Sequence, residues 1–116
     1  MTVVLNEQSY EYATSLIKDG KVVLDEQGDW SKHHPTVSKQ NQFIHDHGLH
    51  EYGKWCLGLD ESETESSKNR YLFLYGDFDS LHRCAVLAAE SRAGQYKYLT
   101  IKWAAAHLHG MLDELI

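Results

Sequence analysis

Leu81-His82-Arg83-Cys84-Ala85-Val86-Leu87-Ala88-Ala89-Glu90-Ser91-Arg92-Ala93 is the stretch that decides the fold. From Cys84 to Ala89 it offers no charge and almost no polar face, and its alanines favour a helix while letting neighbours approach closely. A central helix packed on several sides is therefore predicted, starting at Asp77 or Ser80, ending near Ala93, with Gly94 as its left-handed terminal residue. His82 and Arg83 precede the apolar run, and Glu90 and Arg92 follow it, so the ionisable ends are left to face solvent or a hollow.

On the C-terminal side, Ile101, Ala104, Ala105, Leu108, Met111, Leu112 and Leu115 recur at helical spacing, which predicts a last helix capped by Thr100. On the N-terminal side, Trp55-Cys56-Leu57-Gly58-Leu59 and Tyr71-Leu72-Phe73-Leu74-Tyr75 alternate as strands do, the aromatics 71, 73 and 75 falling on one face. A hairpin is the simplest pairing, joined by the long acidic, serine-rich segment 60–69, which has no apolar anchor and is expected to move. Earlier still, Asn6 and Gly20 bracket a helix over Glu7–Lys18, Val22 to Leu24 suggest an edge strand, and Thr36 and Gly48 bracket a helix over Val37–His47, with one more turn at His50–Gly53. Between them, Gly28-Asp29-Trp30-Ser31-Lys32-His33-His34-Pro35 reads as an ordered loop pinned by Trp30. The expected fold class is α+β: about four helices with a small antiparallel hairpin, residues 1–116 forming one compact helix-rich domain.

Composition bounds the function. At 116 residues, with 42% hydrophobic and 24% charged residues and a single proline, the chain is of ordinary globular type with one core. The net charge of −6 and the lack of a clustered basic face argue against nucleic acid as a partner. Arg92, Tyr96, Lys97, Tyr98, Lys102 and Trp103 interleave aromatic and basic side chains, but read better as the cover of a helix end. Apolar stretches fall far short of the roughly 20 residues that span a bilayer, so no membrane partner is expected. The first residues carry neither a basic leader nor an extended apolar segment, which makes a cytoplasmic location the expectation. Cys56 and Cys84 are expected to be buried thiols rather than a disulfide.

Eight histidines make a metal site the first chemistry to test. Residues two apart on a helix point to nearly opposite sides, so His45 with His47, and His107 with His109, cannot share an ion if both pairs are helical. There is no His-Glu-x-x-His and no Cys-x-x-Cys, so no metal site is expected from local spacing; an assembly of distant residues such as Asp29, His33 and His47 is the arrangement left open. Cys84, read as lying mid-helix two residues from His82, is a poor nucleophile. Phosphate-binding glycine loops and a serine-hydrolase elbow are absent too, so no cofactor is expected.

Function therefore rests on surfaces. Three tryptophans and seven tyrosines supply the amphipathic groups that anchor interfaces, and the C-terminal Leu115-Ile116 pair calls for cover from the domain's own core or from another subunit. The leading expectation is a non-enzymatic binding or interaction domain that forms a homodimer and takes a small-molecule or protein ligand. Its candidate ligand-binding residues are Trp30, His33, His47, Arg83, Glu90, Arg92 and His107. The runner-up is an enzyme or metal-binding protein with a pocket between the Trp30 loop and the last two helices, in which His33, His47, Glu90, Arg92 and His107 are the polar groups.

Overall fold

Tyr10, Ala13, Leu16 and Ile17 share one face of the first helix, and burying that face against a sheet organises the N-terminal half. The computed structural model describes residues 2–116. Strand β1 (Val3–Leu5) leads into helix α1 (Glu7–Lys18), followed by β2 (Val22–Val23), the single turn α2 (Trp30–His33), α3 (Val37–His47) and the short α4 (Leu49–Gly53). Strands β3 (Cys56–Asp60) and β4 (Tyr71–Leu74), then β5 (Leu81–His82) and the two long helices α5 (Arg83–Gln95) and α6 (Leu99–Asp113), complete the chain. The α+β class and the hairpin match expectation. Among the described residues the α-helices number six rather than about four, because the Trp30 loop and the His50 segment each close a turn of their own.

The hairpin β3–β4 pairs Cys56 with Leu74 and Leu59 with Tyr71, and β1 adds antiparallel on the other side of β3, giving the order β1-β3-β4. Alternation in β4 is broken, since Phe73 sits at φ 63°, in the left-handed region, so Leu74 and Tyr75 are both buried and the aromatics 71, 73 and 75 do not share one face. Segment 60–69 is tied at both ends, by Asp60 Oδ1 accepting from the Ser62 N–H at 3.0 Å and by Arg70 Nη1 donating to the Glu63 carbonyl at 2.9 Å. Leu57, Tyr75, Val86, Ile101, Leu108 and Leu112 are fully buried between the sheet and the α5–α6 pair. The Cα radius of gyration of 13.1 Å is close to that expected of a compact chain this long.

Two helix ends correct the reading of the deciding stretch. Helix α5 starts at Arg83, not at Asp77 or Ser80: His82 is extended (φ −103°, ψ 126°) and pairs in parallel with Val23, while the Asp77 carboxylate accepts from the N–H groups of Asp79 and Ser80 and so closes a turn ahead of it. At the other end the helix runs past Gly94. The left-handed residue is Lys97 (φ 61°), with the Tyr98 N–H donating to the Ala93 carbonyl at 2.8 Å and the Lys97 N–H to that of Gly94 at 3.2 Å, the paired bonds of a Schellman stop.

Candidate functional site

The shifted start of α5 changes what His82 and Cys84 can do. Cys84 lies in the first turn, not mid-helix, and His82 lies in a strand, so helical geometry does not separate them. Both reach the carboxylate of Asp25, which follows β2 and is almost fully buried. Asp25 Oδ1 accepts from the Cys84 N–H at 2.7 Å, while Oδ2 lies 3.0 Å from Cys84 Sγ, 2.7 Å from His82 Nδ1 and 2.8 Å from His33 Nδ1. His82 Nε2 turns the other way, 2.8 Å from Asp77 Oδ2, so this imidazole bridges two carboxylates. Arg83 Nη1 donates to the Asp25 carbonyl at 3.3 Å, and the Trp30 ring lies 5.5 Å from that of His82.

Charge in this knot follows from those bonds. Burial would raise the Asp25 pKa, but the hydrogen bonds from the Cys84 thiol and N–H, from His82 and from His33 outweigh it and hold the carboxyl well below the usual range. Burial would lower the His82 pKa; Asp77 and Asp25 reverse that and raise it. Asp77, with burial opposed by His82 and by two backbone N–H groups, is lowered. Burial, and then the Asp25 carboxylate that accepts its proton, push the Cys84 thiol far up, so a free nucleophilic thiolate is disfavoured here. The four side chains of Asp25, His33, His82 and Cys84 nevertheless each offer one ligand atom, all within 4.8 Å of one another.

Beyond Trp30 lies a groove of about 580 Å³. Ala85, Ala88 and Ala89 of α5 form its floor, and Tyr52, Tyr71, Phe73, Tyr96 and Tyr98 join Trp30 around it. The groove exists because α5 presents alanines there: side chains this small leave a channel that larger ones would fill. Besides the tyrosine hydroxyls and the Trp30 N–H, its polar groups are His34, whose Nδ1 lies 2.8 Å from the Pro35 carbonyl, Gln40, which bonds Pro35 and Tyr52, and Arg92, which is exposed and makes no ion pair among the described residues. Neither a carboxylate nor a lysine lines it.

No protein-family model, curated protein or solved structure matches this chain.

The residues singled out in the sequence fall into five places. Trp30 and Arg92 line the groove, and His33 belongs to the Asp25 knot. Arg83 and Glu90 both face α6: Glu90 Oε1 lies 3.0 Å from His109 Nδ1, His109 Nε2 lies 3.3 Å from Asp113 Oδ2, and Arg83 Nη2 lies 3.5 Å from Asp113 Oδ1, so they clasp the two helices rather than flank a pocket. His47 packs on Phe43, with ring centroids 4.6 Å apart, and His107 meets the Tyr10 hydroxyl on the α1–α6 seam. His33, His47, Glu90, Arg92 and His107 thus do not share a cavity, and neither do Asp29, His33 and His47. As expected, Cys56 and Cys84 are both buried and unpaired to each other.

Asp25 does not figure in the sequence reading, and Asp77 figures there only as a candidate helix start. An acid between Leu24 and Glu26 looks like any polar residue after an edge strand, and its burial depends on α5 docking far along the chain. A signal did exist in His82-Arg83-Cys84: begun at Arg83, the helix would have placed Cys84 at the N-terminal turn, where a carboxylate partner is favoured.

Proposed function

We propose that this protein is a non-enzymatic binding protein whose groove takes a small, flat apolar molecule carrying one anionic group. The lining carries this reading: aromatic rings and alanines around a single unpaired guanidinium, with no carboxylate to neutralise it. Stacking on the rings supplies apolar contact, and Arg92 supplies the charged hydrogen bond that selects the anion. Its volume lies within the usual range of small-ligand sites. The lining holds no cysteine, serine, lysine or acid, and its one histidine, His34, gives Nδ1 to the Pro35 carbonyl with no nucleophile beside it, which favours binding over chemistry.

Calorimetric titration with 2-naphthoate and with its neutral analogue 2-naphthalenemethanol tests it. The acid binds more tightly, Arg92→Ala erases about tenfold of that preference, and Ala88→Trp, which fills the groove, abolishes binding of both. Equal binding of the two compounds, or wild-type affinity in Ala88→Trp, would sink the assignment.

A second reading, self-association as a homodimer, is favoured by Leu99 and Trp103, which stand one turn apart on α6 and are 47% and 63% exposed. Light scattering decides it: a dimer that Trp103→Glu converts to monomer supports this face, and a strict monomer at high concentration rejects it. Among the described residues no helix is long and apolar enough to cross a membrane. We place the protein in the cytoplasm, a location with which two buried free thiols accord.

A further inference from the structure

We propose that Asp25, His33, His82 and Cys84 form a four-ligand site for a divalent cation of zinc type, independent of what the groove binds. Four elements from two distant stretches of chain supply these ligands: the loop after β2 and the end of α2, then strand β5 and the first turn of α5. Such convergence is not a by-product of helical periodicity, and the ligand atoms lie within 4.8 Å of one another. In a tetrahedral zinc site, bonds of about 2.0–2.3 Å put neighbouring ligand atoms roughly 3.3–3.8 Å apart. The contacts to Asp25 Oδ2, at 2.7, 2.8 and 3.0 Å, are somewhat tighter than that, so small side-chain rotations open the space for an ion.

Hydrogen bonding alone satisfies this geometry poorly. A carboxylate oxygen has two lone pairs, yet three groups converge on Asp25 Oδ2 while Oδ1 is held by the Cys84 N–H. A cation in their midst takes one lone pair from each ligand instead. The outer contacts are those such a centre needs: His82 directs Nδ1 inward and gives Nε2 to Asp77, the carboxylate–histidine–metal arrangement, and Asp77 is itself fixed by the N–H groups of Asp79 and Ser80. Two imidazoles, one thiolate and one carboxylate suit zinc, whereas calcium and magnesium prefer oxygen throughout.

Charge balances as well. Coordination releases the Cys84 thiol proton and the Nδ1 proton of His82 to solvent, while the His33 proton that Nδ1 gives to Asp25 in the metal-free site moves to Nε2 and frees Nδ1 for the ion, so a dication enters as two protons leave and the buried site keeps its net charge. His33, whose side chain is 39% exposed, gives the ion a way in. With four protein ligands the site is closed and structural. It staples the loop before Trp30 to the start of α5, and so fixes one wall of the groove.

The test is titration of the chelator-stripped, full-length protein with Co²⁺ and then Zn²⁺. One Co²⁺ binds per chain, with the intense near-ultraviolet band of a cobalt–thiolate bond and the visible bands of tetrahedral cobalt, and Zn²⁺ displaces it. Cys84→Ser loses the thiolate band, Asp77→Asn weakens binding roughly 10–100-fold, His33→Ala weakens it at least as much, and His45→Ala, on an exposed helical face, binds as wild type. Folded protein that takes up no Co²⁺, or takes it up without the thiolate band, overturns the proposal. So does His33→Ala binding at full affinity, and this partly exposed position decides the matter even if Cys84→Ser fails to fold.

Discussion

Asp25 caps helix α5 from 59 positions away in the chain, its Oδ1 lying 2.7 Å from the backbone nitrogen of Cys84. His82, the residue preceding the helix, contributes no side-chain cap, so this distant carboxylate satisfies an orphan N–H and meets the positive end of the helix dipole. Asp25→Asn removes the charge and turns an amide nitrogen toward groups that donate. In metal-free protein it lowers the unfolding free energy by roughly 3–5 kcal/mol, measured by urea denaturation with chelator present; a loss below about 1 kcal/mol would mean that the knot contributes no more than a surface pair.

The same knot makes stability depend on pH in two windows. Asp25 and Asp77 titrate lower in the folded chain than in the unfolded one, so their contribution is complete above about pH 4 and fades as the pH falls through their folded values. His82 titrates higher when folded, so its contribution is complete below about pH 6.5 and is lost as the pH rises through its folded value. Stability of the chelated protein should therefore peak between these limits, and His82→Gln should flatten the decline between about pH 6.5 and 8.5, below the range where unfolded thiols ionise. A His82→Gln profile parallel to wild type there would exclude the bridging role.

How far the sequence announces this architecture depends on whether the signal is local. Helix α1, helix α3 with its Thr36 cap, and the β3–β4 hairpin are written in short-range periodicity and in terminal glycines, and all were legible. Gly94 misleads because a glycine near a helix end suggests a stop, whereas here Lys97 takes the left-handed position and a Cβ at Gly94 would meet only the end of the Lys102 side chain at ordinary contact distance. The candidate site was largely illegible. Of its four convergent ligands only His33 was singled out as a ligand-binding residue, since the pairing of β2 with β5 that brings Asp25 to His82 is two residues long and carries no pattern to read.

Glycines of similar appearance differ in what surrounds them. A Cβ on Gly76 would lie 2.6 Å from the Ser80 carbonyl oxygen and 2.6 Å from the buried Trp55 ring, neither of which can easily yield. Gly110, exposed within α6, has nothing within 4 Å. Gly76→Ala is expected to cost about 1–3 kcal/mol and Gly110→Ala to add about 0.5–1 kcal/mol. Thermal unfolding of the two variants should shift in opposite directions; shifts of one sign would contradict the packing around Gly76.

Asn6 gives a test in which position and contact disagree. It precedes α1, where asparagine and aspartate are about equally good caps, so position alone makes Asn6→Asp harmless. Its side chain caps nothing, however: it is buried, and Nδ2 donates to the carbonyls of Gly53 and Cys56 at 2.9 and 3.1 Å, holding the turn after α4 against the start of α1. Asn6→Asp sets a carboxylate against two carbonyl oxygens and should cost on the order of 3 kcal/mol, more than Asn6→Ala, which only removes the donor. Urea unfolding at neutral pH ranks the two: Ala less stable than Asp would mean that capping governs this residue, and Asp less stable than Ala that the long-range bonds do.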